Sequence, residues 1–238
     1  MYLSGHKESI SVYSHIDGEL LFTCTENDVD ILTESAAIKW AVDNRKRVCG
    51  ADFSGFTISD LDLSGETIKY CNFTGSTISN CNFSKANLCH SIMYNCTISN
   101  CNLDGSVIMH SDLSFAKISS CSTNDVSFKS SNLHDVDLFD ISLNSCVMHG
   151  SYGCGKYIKS IHTGAETVVY TSNEIYFGCH ERSVLTIKDI TRRTAIEVDG
   201  KRGALFWDQV KSTVFHCIEN NPAEKIPSIS SKSPERSI

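Results

Sequence analysis

The stretch Cys71-Asn72-Phe73-Thr74-Gly75-Ser76-Thr77-Ile78-Ser79-Asn80-Cys81-Asn82-Phe83 places a large apolar residue at every fifth position. Cys-Asn-Phe opens the stretch and returns ten residues later, with Ile78 midway. Extended outward in fives, the frame runs from Ala51 to Gly150. Its third position is apolar in 19 of 20 groups, Thr123 being the exception. At 41% hydrophobic residues, chance would put about eight there, so the period is real.

Strand geometry accounts for the frame. Successive side chains alternate faces, so positions one and three turn inward and position two outward. Positions four and five, rich in Ser, Gly, Asn and Asp, suit a corner. Position one is mostly small, as in Ala51, Cys71, Ser76, Cys81 and Cys146, leaving room for its large neighbour. Thr-Ile-Ser recurs at 57, 77 and 97, and Ile occupies 58, 78, 98 and 118. A recurrence of 20 gives four sides per coil and five coils over 51–150, about 24 Å long at the spacing of neighbouring strands.

The groups ADFSG, LDLSG, CNFTG, CNFSK, ANLCH, CNLDG, SDLSF and SNLHD resemble the pentapeptide-repeat family. The resemblance implies a mainly β fold, a right-handed quadrilateral β-helix. It covers about 100 residues and says little of function, since fold does not fix function. The chain also resembles a phage-encoded form of the family, with an N-terminal hairpin and helix and a small following domain that holds a Gly-Cys pair, here Gly178-Cys179.

The ends of a β-helix need caps. Residues 1–50 are expected to supply one. In it, 9–24 form a hairpin turning at Asp17-Gly18, and 34–46 form a helix with Thr33 as N-cap and Ala37, Trp40 and Ala41 inward. Residues 151–219 read as a small α+β cap, with strands over 157–178 and helices over 186–195 and 204–219. The second helix offers Phe206 and Val210 to a second copy, making a homodimer, or to its own domain; the sequence leaves both open. Residues 220–238, rich in Ser and Pro, read as a disordered tail.

No apolar run is long enough for a membrane helix, and the N-terminus lacks the apolar segment of a signal peptide, so a cytoplasmic protein is expected, with its 12 cysteines reduced. For a phage-encoded chain that means the host cytoplasm. The net charge of −7 disfavours direct nucleic-acid binding.

Enzymatic readings are weak. Gly150-Ser151-Tyr152-Gly153-Cys154-Gly155-Lys156-Tyr157 nearly spells a phosphate loop, but Tyr157 stands where Ser or Thr should reach Mg²⁺. Cys81, Cys101 and Cys121 form one inward column, better read as packing than as a redox or metal ladder. Tyr70, His90 and His110 share a corner, with Cys89, Met109 and His149 beside them. Imidazole and sulfur suit soft metals, but no fourth ligand is evident. Thr57, Thr77 and Thr97, with Ser59, Ser79 and Ser99, make a solvated hydroxyl strip. Arg182, Lys188, Arg192, Arg193, Lys201 and Arg202 are partly offset by Asp189, Glu197 and Asp199. No catalytic residue, metal or cofactor is expected.

The remaining reading is an interaction protein, a phage or prophage accessory factor by resemblance. It would bind a macromolecular partner through β-helix faces or caps. The family also contains duplex-DNA mimics that bind type II topoisomerases or other DNA-binding proteins, so gyrase or a host DNA-binding defence protein is an alternative partner. The acidic surface for it would be Asp52, Asp60, Asp62, Asp104, Asp112, Asp125, Asp135, Asp137 and Asp140. Residues 51–150 carry 4 basic and 10 acidic residues, net −6, against roughly 14 charges on the same length of duplex. An enzyme with its site in the C-terminal domain is a third reading.

Overall fold

From Gly55 to Asp140 every fifth residue turns a corner in left-handed backbone. The computed structural model describes residues 9–143, 145–162, 167–176, 184–186, 191, 193, 196–197, 201, 204, 208 and 211–228. Its non-glycine corners from Asp60 to Asp140 have φ between 49° and 60°. Only Gly, Asn and Asp adopt that conformation cheaply, which is why they dominate the position.

Between corners the chain is extended. Strands β3 (Thr57–Ser59), β4 (Thr77–Ser79), β5 (Thr97–Ser99), β6 (Lys117–Ser119) and β7 (Asp137–Phe139) form one parallel sheet in that order. Each residue faces its counterpart 20 positions on: Ile58 meets Ile78, Ile78 meets Ile98, Ile98 meets Ile118, and Ile118 meets Leu138. The other sides keep the same spacing through single bridges, such as Asp52 to Asn72, Asp62 to Asn82 and Thr67 to Asn87. The result is a four-sided β-solenoid of five rungs joined by four 20-residue turns.

The column inside is filled. Third-position residues from Phe53 to Met148 are buried, with the rings of Phe53 and Phe73 tilted by 35° and 5.4 Å apart. Thr123 is buried too, and its hydroxyl donates to the carbonyl of Ser142. Position one has its own task. On two of the four sides its N–H is taken up by the side chain of the next rung: Cys101 Sγ accepts from Cys81 N and Cys121 Sγ from Cys101 N, both at 3.4 Å. Ser111 Oγ accepts from Ser91 N, and Ser131 Oγ from Ser111 N, both at 3.1 Å. A small side chain with one polar atom fits there, which Cys and Ser both provide. Burial pushes the thiols of Cys71, Cys96 and Cys146 up to about 12. They are packing groups and not nucleophiles.

The first rung is covered. Strands β1 (Ser9–Tyr13) and β2 (Leu20–Thr25) form an antiparallel hairpin, and Tyr13 O accepts from Asp52 N at 2.8 Å. Helix α1 (Glu34–Asp43) starts on Thr33, whose hydroxyl accepts from Ala36 N at 3.0 Å. It buries Ala37, Ile38 and Ala41, while Trp40, expected inward, is half-buried and packs tilted against Phe22. Glu34 Oε2 and Ser35 Oγ accept from Thr57 N and Ser59 N, each at 2.7 Å. Those two amides are donors that a preceding rung would otherwise satisfy.

Beyond the last rung, β8 (Lys159–His162), β9 (Thr167–Tyr170), β10 (Glu174–Tyr176) and β11 (Val184–Thr186) make an antiparallel sheet in sequence order. Helix α2 (Lys211–Asn220) places Val214 against Val168, Tyr170 and Ile175. The segment 221–228, expected in a disordered tail, instead returns to the solenoid. Asp140 N donates to Pro227 O at 2.6 Å, Glu224 N to Lys156 O at 2.9 Å, and Ile226 packs on the main core. The segment supplies an acceptor to the final sheet edge, which its Ser- and Pro-rich composition did not reveal. Among the described residues no helix is long and apolar enough to cross a membrane.

Candidate functional site: an aromatic-rimmed face

The solenoid interior is closed, so any site lies on a face, a corner or an end. The side starting at residues 51, 71, 91, 111 and 131 differs from the rest. Its outward column runs Asp52, Asn72, Ile92, Asp112, Asn132 and Tyr152, each bridged to the next. Ile92 is the apolar residue mid-column, half-buried and facing out.

Rings line both corners. On one side Tyr70 stacks on His90 at 5.0 Å and 13°, and His90 on His110 at 4.9 Å and 11°. On the other, Tyr94 meets Phe115 edge-on at 5.7 Å, and Phe115 meets His134 edge-on at 5.2 Å. Tyr70, Tyr94, Phe115 and Tyr152 are 42–47% exposed. Tyr70 and Phe115 also sit at φ 60°. A bulky side chain there costs about 1–2 kcal/mol that Gly or Asn would largely avoid. Exposed rings held in unfavourable backbone are poorly explained by packing and point to use.

The acidic residues are distributed otherwise. Asp52, Asp112 and Asp135 belong to this face, Asp60, Asp137 and Asp140 to the next, and Asp62, Asp104 and Asp125 to the third. Most are tied into the fold. Asp52, Asp62 and Asp112 each accept the backbone N–H two residues on, at 3.0–3.1 Å. They also accept the side-chain amides of Asn72, Asn82 and Asn132 one rung on, at 2.9–3.0 Å. Asn80 donates to Asp60 and Asn124 to Asp104 in the same way. Ser120 donates to Asp140, while Asp125 and Asp135 occupy left-handed corners and Asp137 is exposed on β7. Hydrogen bonds from Ser64 and Asn82 hold the Asp62 carboxyl below the usual carboxylate range, and those from Ser122 and Asn124 do so for Asp104. Five of the nine acids, Asp52, Asp60, Asp62, Asp104 and Asp112, are thus paired with an Asn one rung on.

The soft-ligand corner is also redrawn. Tyr70, His90 and His110 do share a column, but His149 turns inward, buried edge-on against Tyr176 at 6.1 Å. Position four of its rung is covered by the C-terminal sheet, so the outward assignment fails there. Among the described residues no group of three His, Cys, Asp or Glu could hold a metal ion. Lys156 of the near-phosphate-loop pairs with Glu224 at 3.3 Å. Concavities lie at the ends, one of about 200 Å³ between Leu143, Tyr157, Thr171 and Ile226 and one of about 550 Å³ between Val42, Arg47 and Glu66. Gly178-Cys179, Arg182, Lys188, Arg192, Arg202, Phe206 and Val210 fall outside the described residues. Sequence reasoning passed over the rings of Tyr94, Phe115 and His134, because they alternate between positions four and five and form no column in the frame.

Residues 71–108 match the family model described as pentapeptide repeats, in eight copies. A search of curated proteins finds no match. Among solved structures the chain is similar to a pentapeptide repeat protein (Rfr23) from the cyanobacterium Cyanothece 51142. Identity is 12%, over 44% of this chain and 84% of that chain, with a TM-score of 0.30. It is similar to QnrB1, a plasmid-mediated fluoroquinolone resistance protein, at 14% identity over 42% and 68%, TM-score 0.28. It is also similar to AT2G44920, a pentapeptide repeat protein from the Arabidopsis thaliana thylakoid lumen, at 17% identity over 44% and 71%, TM-score 0.23.

Proposed function

We propose that this chain, a pentapeptide-repeat protein, is a non-enzymatic binding module whose protein partner docks on the face centred on Ile92. One observation carries the reading: Tyr70 and Phe115 project from left-handed corners onto the two rims of the same face. Aromatic side chains dominate binding energy at protein interfaces, because large rigid rings bury area at little entropic cost. Lys69 and Lys129 are the only basic residues along the near corner, too few to attract a nucleic-acid backbone.

The alternative is a duplex-DNA mimic acting on gyrase or on a host DNA-binding defence protein. It draws on the net charge of −6 over residues 51–150. Steering by such a field scales with summed charge. Against it, Asn side chains occupy five of the nine carboxylates, and between Cys71 and Leu103 the sole charge is Lys85. A phage accessory role rests on the resemblance of the two ends alone.

A photo-crosslinking residue at Tyr94 should capture a discrete partner in host extract, while the same residue at Thr77, on the hydroxyl face, should not. Capture at Thr77 alone, or equally at both, overturns the docking face. Protection or inhibition of gyrase supercoiling that is lost on joint Asp→Asn replacement at Asp52, Asp62 and Asp112, but kept with Tyr70→Ala, would favour the mimic.

A further inference from the structure

Cys154 stands over His134, one rung on and at the same fourth position. Its Sγ contacts His134 Nδ1 in a hydrogen bond. The other ring nitrogen, Nε2, lies 3.2 Å from Asp135 Oδ2. Thiol, imidazole and carboxylate therefore form a line, each group touching the next. A metal cage would need these donors to converge on one point, and they do not.

Close approach of the backbone fixes the thiol there. A Cβ on Gly155 would lie 2.9 Å from Asp135 Cα, and one on Gly153 would lie 3.0 Å from Ile158 O and 3.2 Å from Leu133 O. Leu133 N donates to Tyr152 O at 2.7 Å, so this segment lies flat on the rung below. Phe115, edge-on at 5.2 Å and 84°, limits rotation of the His134 ring. Cys154 is exposed, unlike the seven buried cysteines of the core.

We infer that Cys154 is a reactive thiol whose covalent partner is a small-molecule disulfide. His134 accepts the thiol proton at Nδ1, and the Asp135 carboxylate beside Nε2 favours the imidazolium that results. The sulfur attacks one sulfur of the disulfide. That S–S bond breaks, a Cys154–S–S–R bond forms, and the departing thiolate takes the proton from His134. Cys154 is oxidised to the mixed disulfide, and half of the reagent is reduced to a thiol. Thiol–disulfide exchange asks only for an activated sulfur and access, and the exposure of Cys154 supplies the access. Acyl transfer would further require oxyanion donors in a sheltered site. The reactivity does not depend on any partner at the aromatic face.

The test exposes the full chain to limiting glutathione disulfide at neutral pH and locates adducts by peptide mass spectrometry. Cys154 should react on the order of tenfold faster than Cys49, Cys89 and Cys217, the other cysteines with some exposure among the described residues. His134→Gln should bring it down to their rate, and Asp135→Asn should slow it part of the way. Added imidazole should restore the rate in His134→Ala, an effect a purely structural role would not produce. Circular dichroism checks that each variant is folded. Cys154 reacting no faster than Cys89 in the unaltered chain would overturn the inference. So would a His134→Gln rate equal to that of the unaltered chain.

Discussion

The imidazole rings of His90 and His110 lie face to face, 4.9 Å between centroids and 11° between planes. Their backbones sit at φ 59° and 56°, so each ring occupies a corner that glycine would fill more easily. His90 stacks on Tyr70 as well as on His110, so its two contacts return about 1–3 kcal/mol, against a conformational cost of about 1–2 kcal/mol at its own corner. The two nearly cancel.

That near-cancellation separates stability from binding. His90→Gly should change unfolding free energy by no more than about 1 kcal/mol, since the relieved backbone offsets much of the two lost stacks and the freer unfolded chain. The same change should weaken capture of a partner at Tyr94. Denaturant titration and crosslinking yield, measured together, check both halves. A loss of several kcal/mol would show the column to be structural.

Glu34 and Ser35 close the first rung. Replacing both with Ala leaves Thr57 N and Ser59 N without their acceptors. A hydrogen bond to a charged acceptor contributes about 1.5–3 kcal/mol and a neutral one about 1, so the pair should lower stability by about 2–4 kcal/mol. The freed edge is also a template for another chain. Light scattering should show concentration-dependent association that the unaltered protein lacks, while each single variant should show less.

Asp62 and Asp104 set an acid limit. Their carboxyls are held below the ordinary value of 3.8 by hydrogen bonds made in the folded state. A depressed folded value stabilises the native state above the unfolded value, and the gain is lost as pH falls through the folded one. Stability should therefore be flat near neutrality and decline below about pH 4. Asp62→Asn with Asp104→Asn should flatten that decline. An unchanged slope between pH 4 and pH 2 would show that other carboxylates carry it.

The solenoid was legible because one short run, Thr-Ile-Ser at 57, 77 and 97, carries both its strand and its period. Corners were legible from Gly, Asn and Asp. The expected helix at 34–46 formed over Glu34–Asp43, with Ile38 and not Trp40 on its buried side. Less legible was anything that depends on what covers a rung. His149 follows the outward pattern, yet the C-terminal sheet encloses it. Ile226 is one of a few scattered apolar residues in a polar tail, too little to signal packing. The pairing of Cys154 with His134 obeys the 20-residue spacing, but the expected repeat stopped at Gly150. The Asp–Asn pairs were hidden for another reason: a formal charge count does not register that a carboxylate is already hydrogen-bonded.

The in-register stacking of identical positions makes the molecule modular in its length. Deleting one residue inside a side would turn every later side chain to the wrong surface. Excising a whole circuit, for instance 77–96, would rejoin equivalent atoms and shorten the rod by about 4.8 Å. Gene duplication can lengthen such a protein in the same increments, so its reach can change during evolution while both ends and their seals stay as they are.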